Sequence, residues 1–341
     1  MATVRVIGLD IAKSVFQLHG IDGDGATVLQ KRLRRARLLR FFATLPPCLI
    51  GIEACATSHF WARELGKLGH EVKLMPAQYV KPYVRRQKND MADAEAIAEA
   101  VTRPTMRFVG AKSPSDQSAM MLHKVRLMLT RQLVMVTNAL RAHMAEFGIV
   151  APIGRGGVVR LLALIDDDAD AQIPTEARRC LQMLAVQLKL IKLQILENDR
   201  QVLAQARATE LGRRLMAVPG IGPLVASALI AGVPDPSMFR CGRDLAAWIG
   251  LVPRQNSSGG KERLGAITKA GNRYLRQMLV TGAMAVIRRA RQGTRHTWLA
   301  QLLARRRPKV AAVALANKTA RIVWAMMTSG EPYRAPMAIA A

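Results

Sequence analysis

At 341 residues the chain is long enough for two domains with separate cores, and a 50% hydrophobic share with a mean hydropathy of +0.09 excludes global disorder. A formal net charge of +27 points to a polyanionic partner, because each phosphate neutralised by Lys or Arg releases counterions. The charge is uneven: residues 207–341 hold 22 Lys/Arg against 5 Asp/Glu and residues 1–206 hold 29 against 19, so the C-terminal part is the stronger candidate for that footprint, with a merely soluble basic surface as the alternative.

Residues 4–9 read as a buried strand that runs into an acid, Asp10. A second apolar strand over 14–21, the turn Asp22-Gly23-Asp24-Gly25 and a third strand near 26–32 predict a hairpin. Residues 34–45 read as a basic helix. Residues 48–53 are another short apolar run ending in an acid, so Glu53 sits where Asp10 sat. Thr57 or Ser58 is positioned to cap a helix reaching about Leu68, residues 71–75 read as a fifth strand, and Asp90 opens a helix over 91–101. The order, taken as ββαβαβα, predicts an α/β fold with a mixed sheet covered by helices.

Beyond residue 110 the pattern turns helical. Long helices are expected between 113 and 147 and between 175 and 207. In the second, Leu181, Leu184, Leu188, Ile191, Ile195 and Val202 follow 3,4 heptad spacing, with Asn198 at the seam, which predicts a helical hairpin or coiled-coil connector. The connection 148–174, with Gly154-Arg155-Gly156-Gly157 and the acidic run Asp166-Asp167-Asp168, reads as a solvated loop, a turn or partner-facing surface being the alternative. The longest uncharged stretch, residues 216–234, is broken by Pro219, Gly220, Gly222, Pro223 and Gly232 and suits a helical hairpin better than a bilayer span, so no membrane segment is expected. Cys48, Cys55, Cys180 and Cys241 show neither CxxC nor zinc-finger spacing, and no signal peptide precedes the first strand; a reducing cytoplasm fits both.

Two divalent ions need several carboxylates converging from different elements, because hard cations prefer oxygen ligands and one carboxylate cannot bridge and orient both. Asp10 and Glu53 would come from neighbouring strand ends, and the i,i+3 pair Asp90 and Asp93 from one helical face. Taken singly each has a plainer role: Asp10 would cap a turn, and Asp90 would be the N-cap of its helix. Glu95 and Glu99 fit a solvated face.

Ile7-Gly8-Leu9-Asp10-Ile11-Ala12-Lys13, Gly51-Ile52-Glu53-Ala54 and Lys88-Asn89-Asp90-Met91-Ala92-Asp93-Ala94 resemble the DEDD motifs of the IS-one-ten family of bacterial insertion-sequence transposases. The resemblance implies an RNase H-like, RuvC-type nuclease domain that binds Mg2+ (or Mn2+) through Asp10, Glu53, Asp90 and Asp93. In the second half, Leu215-Met216-Ala217-Val218-Pro219-Gly220-Ile221-Gly222-Pro223-Leu224-Val225-Ala226 resembles a helix-hairpin-helix, whose glycine turn, at Gly220 and Gly222, lets backbone N–H groups approach a phosphate; a plain tight turn between core helices is the alternative.

Residues 250–261, containing Asn256-Ser257-Ser258-Gly259-Gly260-Lys261, and Thr268-Lys269-Ala270-Gly271-Asn272 look like the family's transposase domain, and the Ser-Ser-Gly-Gly-Lys form points to its IS-eleven-eleven subgroup. The serine-glycine step makes Ser258 the candidate nucleophile, with Ser257 its rival and a flexible linker the structural alternative. No histidine is evident nearby to activate a hydroxyl, which a metal or carboxylates from another subunit would answer. Lys261, Arg263, Lys269 and Arg273 flank this loop as candidate phosphate contacts, and Arg305-Arg306-Arg307-Pro308-Lys309 is a more remote one.

The resemblance divides the chain into a DEDD nuclease domain (1–110), a helical connector (111–206) and a mainly α transposase domain (207–341). It implies a recombinase that cuts and rejoins donor and target DNA through a phosphoserine link, as a dimer or tetramer with a composite site. It also implies a non-coding bridge RNA that carries sequence specificity by base pairing, while the protein reads shape and backbone on the bacterial nucleoid. The 4% aromatic share agrees with backbone reading. Three other readings remain at this level: a Holliday-junction resolvase using water as nucleophile, an actin-like or sugar-kinase ATPase beginning Gly-Leu-Asp, and a non-catalytic architectural nucleic-acid-binding protein.

Overall fold

Strand alternation in the first 75 residues builds a single five-stranded sheet. The computed structural model describes residues 3–84, 89–167, 172–290 and 297–335, and the chain divides into two compact units, residues 1–115 with 233–240, and residues 116–232 with 241–341. In the first unit β1 (Val6–Ile11), β2 (Val15–Ile21) and β3 (Thr27–Arg34) form an antiparallel meander. Its second turn, between β2 and β3, is tied by Asp22, whose Oδ1 accepts from the backbone N–H groups of Asp24 (3.0 Å) and Ala26 (2.9 Å). The chain then passes through α1 (Leu38–Phe42) to β4 (Leu49–Glu53), which lies parallel to β1, and through α2 (Ser58–Lys67) to β5 (Glu71–Met75), parallel to β4. The resulting order is β3-β2-β1-β4-β5, a mixed sheet as expected.

Period-two alternation sends Ile7, Leu9, Phe16, Leu18, Ile50 and Ile52 to one face, where Leu38 and Phe42 of α1 and Trp61 and Leu65 of α2 cover them. Burying each such side chain contributes roughly 1.5–3 kcal/mol. The opposite face receives α3 (Ala77–Val80) and α4 (Asp90–Val101), whose Ala96, Ile97, Ala100 and Val101 pack with Met75 and Val80.

Three local expectations need correction. The third strand makes the element order βββαβαβ before α3 and α4, not ββαβαβα. The basic helix expected over 34–45 is a 3₁₀ turn at Arg35–Arg37 followed by the short α1, because Pro46 and Pro47 disfavour helical backbone just ahead of them. Thr57 occupies the N-cap position of α2 with φ 74° and makes no side-chain cap, while the Ser58 hydroxyl donates back to the Cys55 carbonyl at 2.9 Å.

The second unit is built on long helices. Among them α5 (Pro114–Ala145), α6 (Arg155–Asp166) and α7 (Thr175–Ala208) share one apolar cluster, in which Leu181, Leu188 and Ile191 meet Leu129, Val136, Leu140 and Met144 of α5 and Leu161 and Ile165 of α6. Asn198, at the seam, is buried and donates from Nδ2 to the Leu122 carbonyl at 3.2 Å. The helix α6 overturns the expectation of a solvated loop over 148–174: its glycine-rich start obscured the helical spacing of Val158, Leu161, Leu162 and Ile165. A Cβ on Gly157 would stand 1.8 Å from the Pro152 carbonyl oxygen, so the start of α6 demands glycine there. At its other end the buried Arg178 guanidinium donates to the Leu164 (2.8 Å) and Ile165 (3.2 Å) carbonyls, which lack intrahelical partners. Asp168 lies outside the described residues.

Next come α8 (Glu210–Met216), a tight turn, α9 (Pro223–Gly232), α10 (Gly242–Ile249), the two-stranded hairpin β6 (Pro253–Gln255) and β7 (Leu264–Ile267), then α11 (Arg273–Ala290), α12 (Thr297–Arg305) and α13 (Pro308–Ser329). Among the described residues α13 alone is long and apolar enough to cross a membrane by length and composition. It packs on α10 and α11 with Ala311, Ala312, Ala316, Ala320 and Val323 fully buried, as a core helix does. Residues 233–240, between α9 and α10, belong to the first unit, where Met238 lies against Gly110: its sulfur would stand 3.1 Å from a Cβ placed there.

Candidate active site

Two glycines bring the four acids together. In the parallel β1/β4 register Gly8 pairs with Gly51, and extending that register puts Asp10 level with Glu53. Alternation then places Gly8 and Asp10, like Gly51 and Glu53, on the face covered by α4. A Cβ on Gly8 would stand 2.0 Å from the Ala94 carbonyl oxygen and 2.5 Å from the Ala98 nitrogen; one on Gly51 would stand 2.8 Å from the Val101 Cβ. Only the missing side chains let α4 lie this close, and its first turn carries Asp90 and Asp93. The N-cap of α4 is Asn89, whose Oδ1 accepts from Ala92 N at 2.7 Å, so Asp90 is released from the capping role open to it on sequence grounds. Lys88 of the motif lies outside the described residues.

The electrostatics register the convergence. Asp10 is pushed up to about 6, first by burial and then by repulsion from Asp93, Asp90 and Glu53. The neighbouring Cys55 thiol is also raised, by burial and then by Glu53 and Asp10. A cluster that opposes its own ionisation is offset by a divalent cation, and carboxylate oxygens are the donors such a cation prefers. Among the described residues no three acidic, histidine or cysteine side chains close on a common point as they stand, so the donor set fits by chemistry and charge and not by a finished coordination shell.

The serine loop is a built turn. Lys261 N donates to the Ser258 carbonyl at 3.1 Å, and Gly259 and Gly260 between them have φ of 55° and 74°, the two left-handed positions of a type I′ hairpin turn. Ser257 is occupied, since its hydroxyl accepts from Arg263 N at 3.3 Å, whereas the Ser258 hydroxyl has no partner among the described residues and is exposed. Lys261 and Arg263 on the hairpin and Lys269 and Arg273 at its root are exposed, and among the described residues none of the four forms an ion pair. Gly271 is held to glycine by the Trp248 carbonyl oxygen, 1.7 Å from where a Cβ would be, and Asn272 Oδ1 caps α11 by accepting from Leu275 N at 3.1 Å. In the turn between α8 and α9, Gly220 has φ 89° and touches the backbone of Gly282 on α11, while Gly222 is exposed with open space around it.

Residues 212–298 match the family described as Transposase IS116/IS110/IS902 family, and residues 7–149 match the DEDD transposase domain of IS110 type. The chain is 48% identical over 331 residues to a putative transposase, y4pF/y4sB, of Sinorhizobium fredii, covering 96% of this chain and 85% of that one. It is 40% identical over 332 residues to the transposase for insertion sequence element IS1328 of Yersinia enterocolitica (97% and 98% covered) and 38% identical over 336 residues to that for IS1111A of Coxiella burnetii (98% and 92%). The chain belongs to the IS116/IS110/IS902 family of transposases. As a transposase it acts on DNA, and its DEDD domain implies divalent-metal use in general.

Two features of the transposase escaped the sequence reading. Gly8 and Gly51 each stand two residues before a candidate ligand, a repeated signal whose meaning depends on α4 lying across the sheet. A buried polar cluster of His123, Ser227 and Tyr274 joins residues more than 100 positions apart, and no local pattern announces it.

Proposed function

We propose that this transposase cuts and rejoins DNA strands through a phosphoserine intermediate on Ser258, with divalent metal held by Asp10, Glu53, Asp90 and Asp93 in an RNase H-like domain of residues 1–110. The observation that carries the reading is the convergence of the four acids beneath the Gly8–Gly51 pair, registered as the raised Asp10 carboxyl. The β3-β2-β1-β4-β5 order, with β2 antiparallel to β1 and helices on both faces, supports the RNase H-like assignment. When bound, Mg2+ or Mn2+ would polarise the scissile phosphate and lower the pKa of the attacking hydroxyl.

In the proposed reaction the Ser258 oxygen attacks phosphorus and forms a P–O bond as the P–O bond to a deoxyribose oxygen breaks, and the serine proton passes by way of solvent to that departing oxygen. The hydroxyl of the partner strand then attacks the phosphoserine and releases Ser258. The Ser258 hydroxyl, exposed and without a partner among the described residues at the head of the glycine turn, with Ser257 engaged by Arg263 N, supports Ser258 over Ser257. Lys261, Arg263, Lys269 and Arg273, and the helix-hairpin-helix turn at Gly220 and Gly222, would hold the DNA backbone. The helical connector of 111–206 and the transposase domain of 207–341 complete the chain. A dimer or tetramer would bring the serine of one subunit to the acids of another, and a bridge RNA pairing with donor and target would supply sequence specificity on the bacterial nucleoid, in the cytoplasm.

The test is recombination of donor and target plasmids with the element's flanking non-coding RNA and Mg2+, comparing wild type with Ser258→Ala on denaturing gels. A protein–DNA adduct that requires Ser258 is expected. Cutting without an adduct, and without RNA, would replace this reading with a resolvase-like nuclease. DNA binding should weaken steeply with salt, since many phosphate contacts are implied, and a flat response would remove the electrostatic footprint.

A further inference from the structure

His123 of α5 is 1% exposed, and its two ring nitrogens meet two hydroxyls from other helices. Nδ1 stands 3.0 Å from the Tyr274 hydroxyl on α11, and Nε2 stands 3.0 Å from the Ser227 hydroxyl on α9. A neutral imidazole donates from one nitrogen and accepts at the other, so one hydroxyl accepts and the other donates, and both ring nitrogens are satisfied. One turn along α5, Arg126 forms a bidentate pair with Asp199 of α7, with Nη2 to Oδ2 at 3.2 Å. His123 and Ser227 are buried, so leaving either unpaired is costly, and the network favours the arrangement of α5, α9 and α11 that pairs them; the Arg126–Asp199 pair beside it is partly exposed.

What it arranges is the root of the serine hairpin. Tyr274 is the second residue of α11, directly after the segment that anchors the hairpin. That anchor is dense: Thr268 N donates to the Val252 carbonyl (2.8 Å), Lys269 N to the Gly250 carbonyl (3.2 Å), and Arg276 Nη1 to the Ile249 (2.7 Å) and Ala270 (2.9 Å) carbonyls. Residues 253–266 are exposed throughout, so the hairpin has no core of its own and takes its position from this root. Ser227 meanwhile sits on α9, the helix that opens from the Gly220–Gly222 turn, and that turn itself abuts α11 at Gly282.

We propose that His123, Tyr274 and Ser227 form a positioning network that fixes the start of α11 against α5 and α9, and thereby holds the Ser258 hairpin in register with the Gly220–Gly222 turn. None of the three touches the reacting atoms. The chemical consequence rests on the reading of Ser258 as the nucleophile; the positional claim does not.

The experiment uses the full chain with two readouts. In Tyr274→Phe, which keeps the ring and loses the hydroxyl, amide hydrogen exchange should quicken about tenfold at residues 268–275 while α13 is unchanged. Single-turnover adduct formation should slow by about tenfold or more with DNA affinity within about twofold, because misplacement costs rate before it costs binding. His123→Asn, whose amide reaches the Nδ1 position and so Tyr274, should retain more activity than His123→Gln, whose amide reaches the Nε2 position and so Ser227. Unchanged exchange at 268–275, or an increase spread equally over all helices, would overturn the proposal. Quickened exchange at the root in a protein whose wild type forms no Ser258-dependent adduct would support the positioning network and reject the nucleophile.

Discussion

At Asp10 the carboxyl titrates at about 6 in the folded protein against 3.8 in the unfolded chain. Between those values the folded state binds more protons, so stability falls as the pH rises through about 4 to 6. His123 runs the other way: burial, and then Arg126, lower it to about 4 from 6.5, so the unfolded chain binds more protons across that window and stability falls as the pH drops. The two contributions oppose each other, and removing one exposes the other. In chelator, Asp10→Asn should gain about 1–2 kcal/mol at pH 7 relative to wild type, after allowance for solvent screening, and its stability should climb more steeply between pH 4.5 and 7. Urea midpoints at the two pH values check this, and identical slopes would mean Asp10 is not repelled as described. Saturating Mg2+ should raise the melting temperature of wild type more than that of Asp10→Asn. Glycines give a second contrast at this scale. Gly8→Ala drives a methyl group into the α4 backbone and should unfold the first unit or cost several kcal/mol, whereas Gly66→Ala, in the exposed part of α2 with open space around it, should stabilise by about 0.5–1 kcal/mol.

Among the elements, the serine hairpin makes the sharpest prediction. If its turn is type I′, Gly259→Asn should preserve strand transfer, because asparagine tolerates the left-handed region, while Gly259→Val should reduce it by about tenfold or more through strain alone. A flexible linker would accept both, so equal activities in a strand-transfer assay would reject the turn. The central strands of the first unit could be read as short apolar runs because both of their faces are buried, and the two acids at strand ends stood out because they break those runs. What could not be read was α6, whose glycines at 154, 156 and 157 look like a loop until Pro152 and Arg178 are in place around it. Nor could α4's approach be read, since Gly8 and Gly51 act on residues more than 40 positions away. The His123 network is invisible for the same reason: its partners share a place in the helix packing and no spacing in the chain.

On the scale of the whole molecule, the covalent path between the two units matters more than the number of elements in each. The chain leaves the first unit after residue 115, re-enters it for residues 233–240 and leaves again. A fragment of residues 1–115 should therefore melt at a lower temperature than the same fragment carrying 233–240 on a flexible linker, because Pro234, Asp235 and Met238 cover the surface around Gly110. Equal melting temperatures would show that the returning segment contributes nothing to the fold it joins. The threading also bears on how such a protein can be remade. A single crossover between two genes of this kind, anywhere from codon 116 to codon 232, pairs one parent's five-stranded sheet with the other parent's returning segment, so chimeras inherit a mismatch that no choice of breakpoint in that interval avoids. Exchange of the intact unit alone needs three junctions, after residues 115, 232 and 240, and the protein is to that extent indivisible as a cassette.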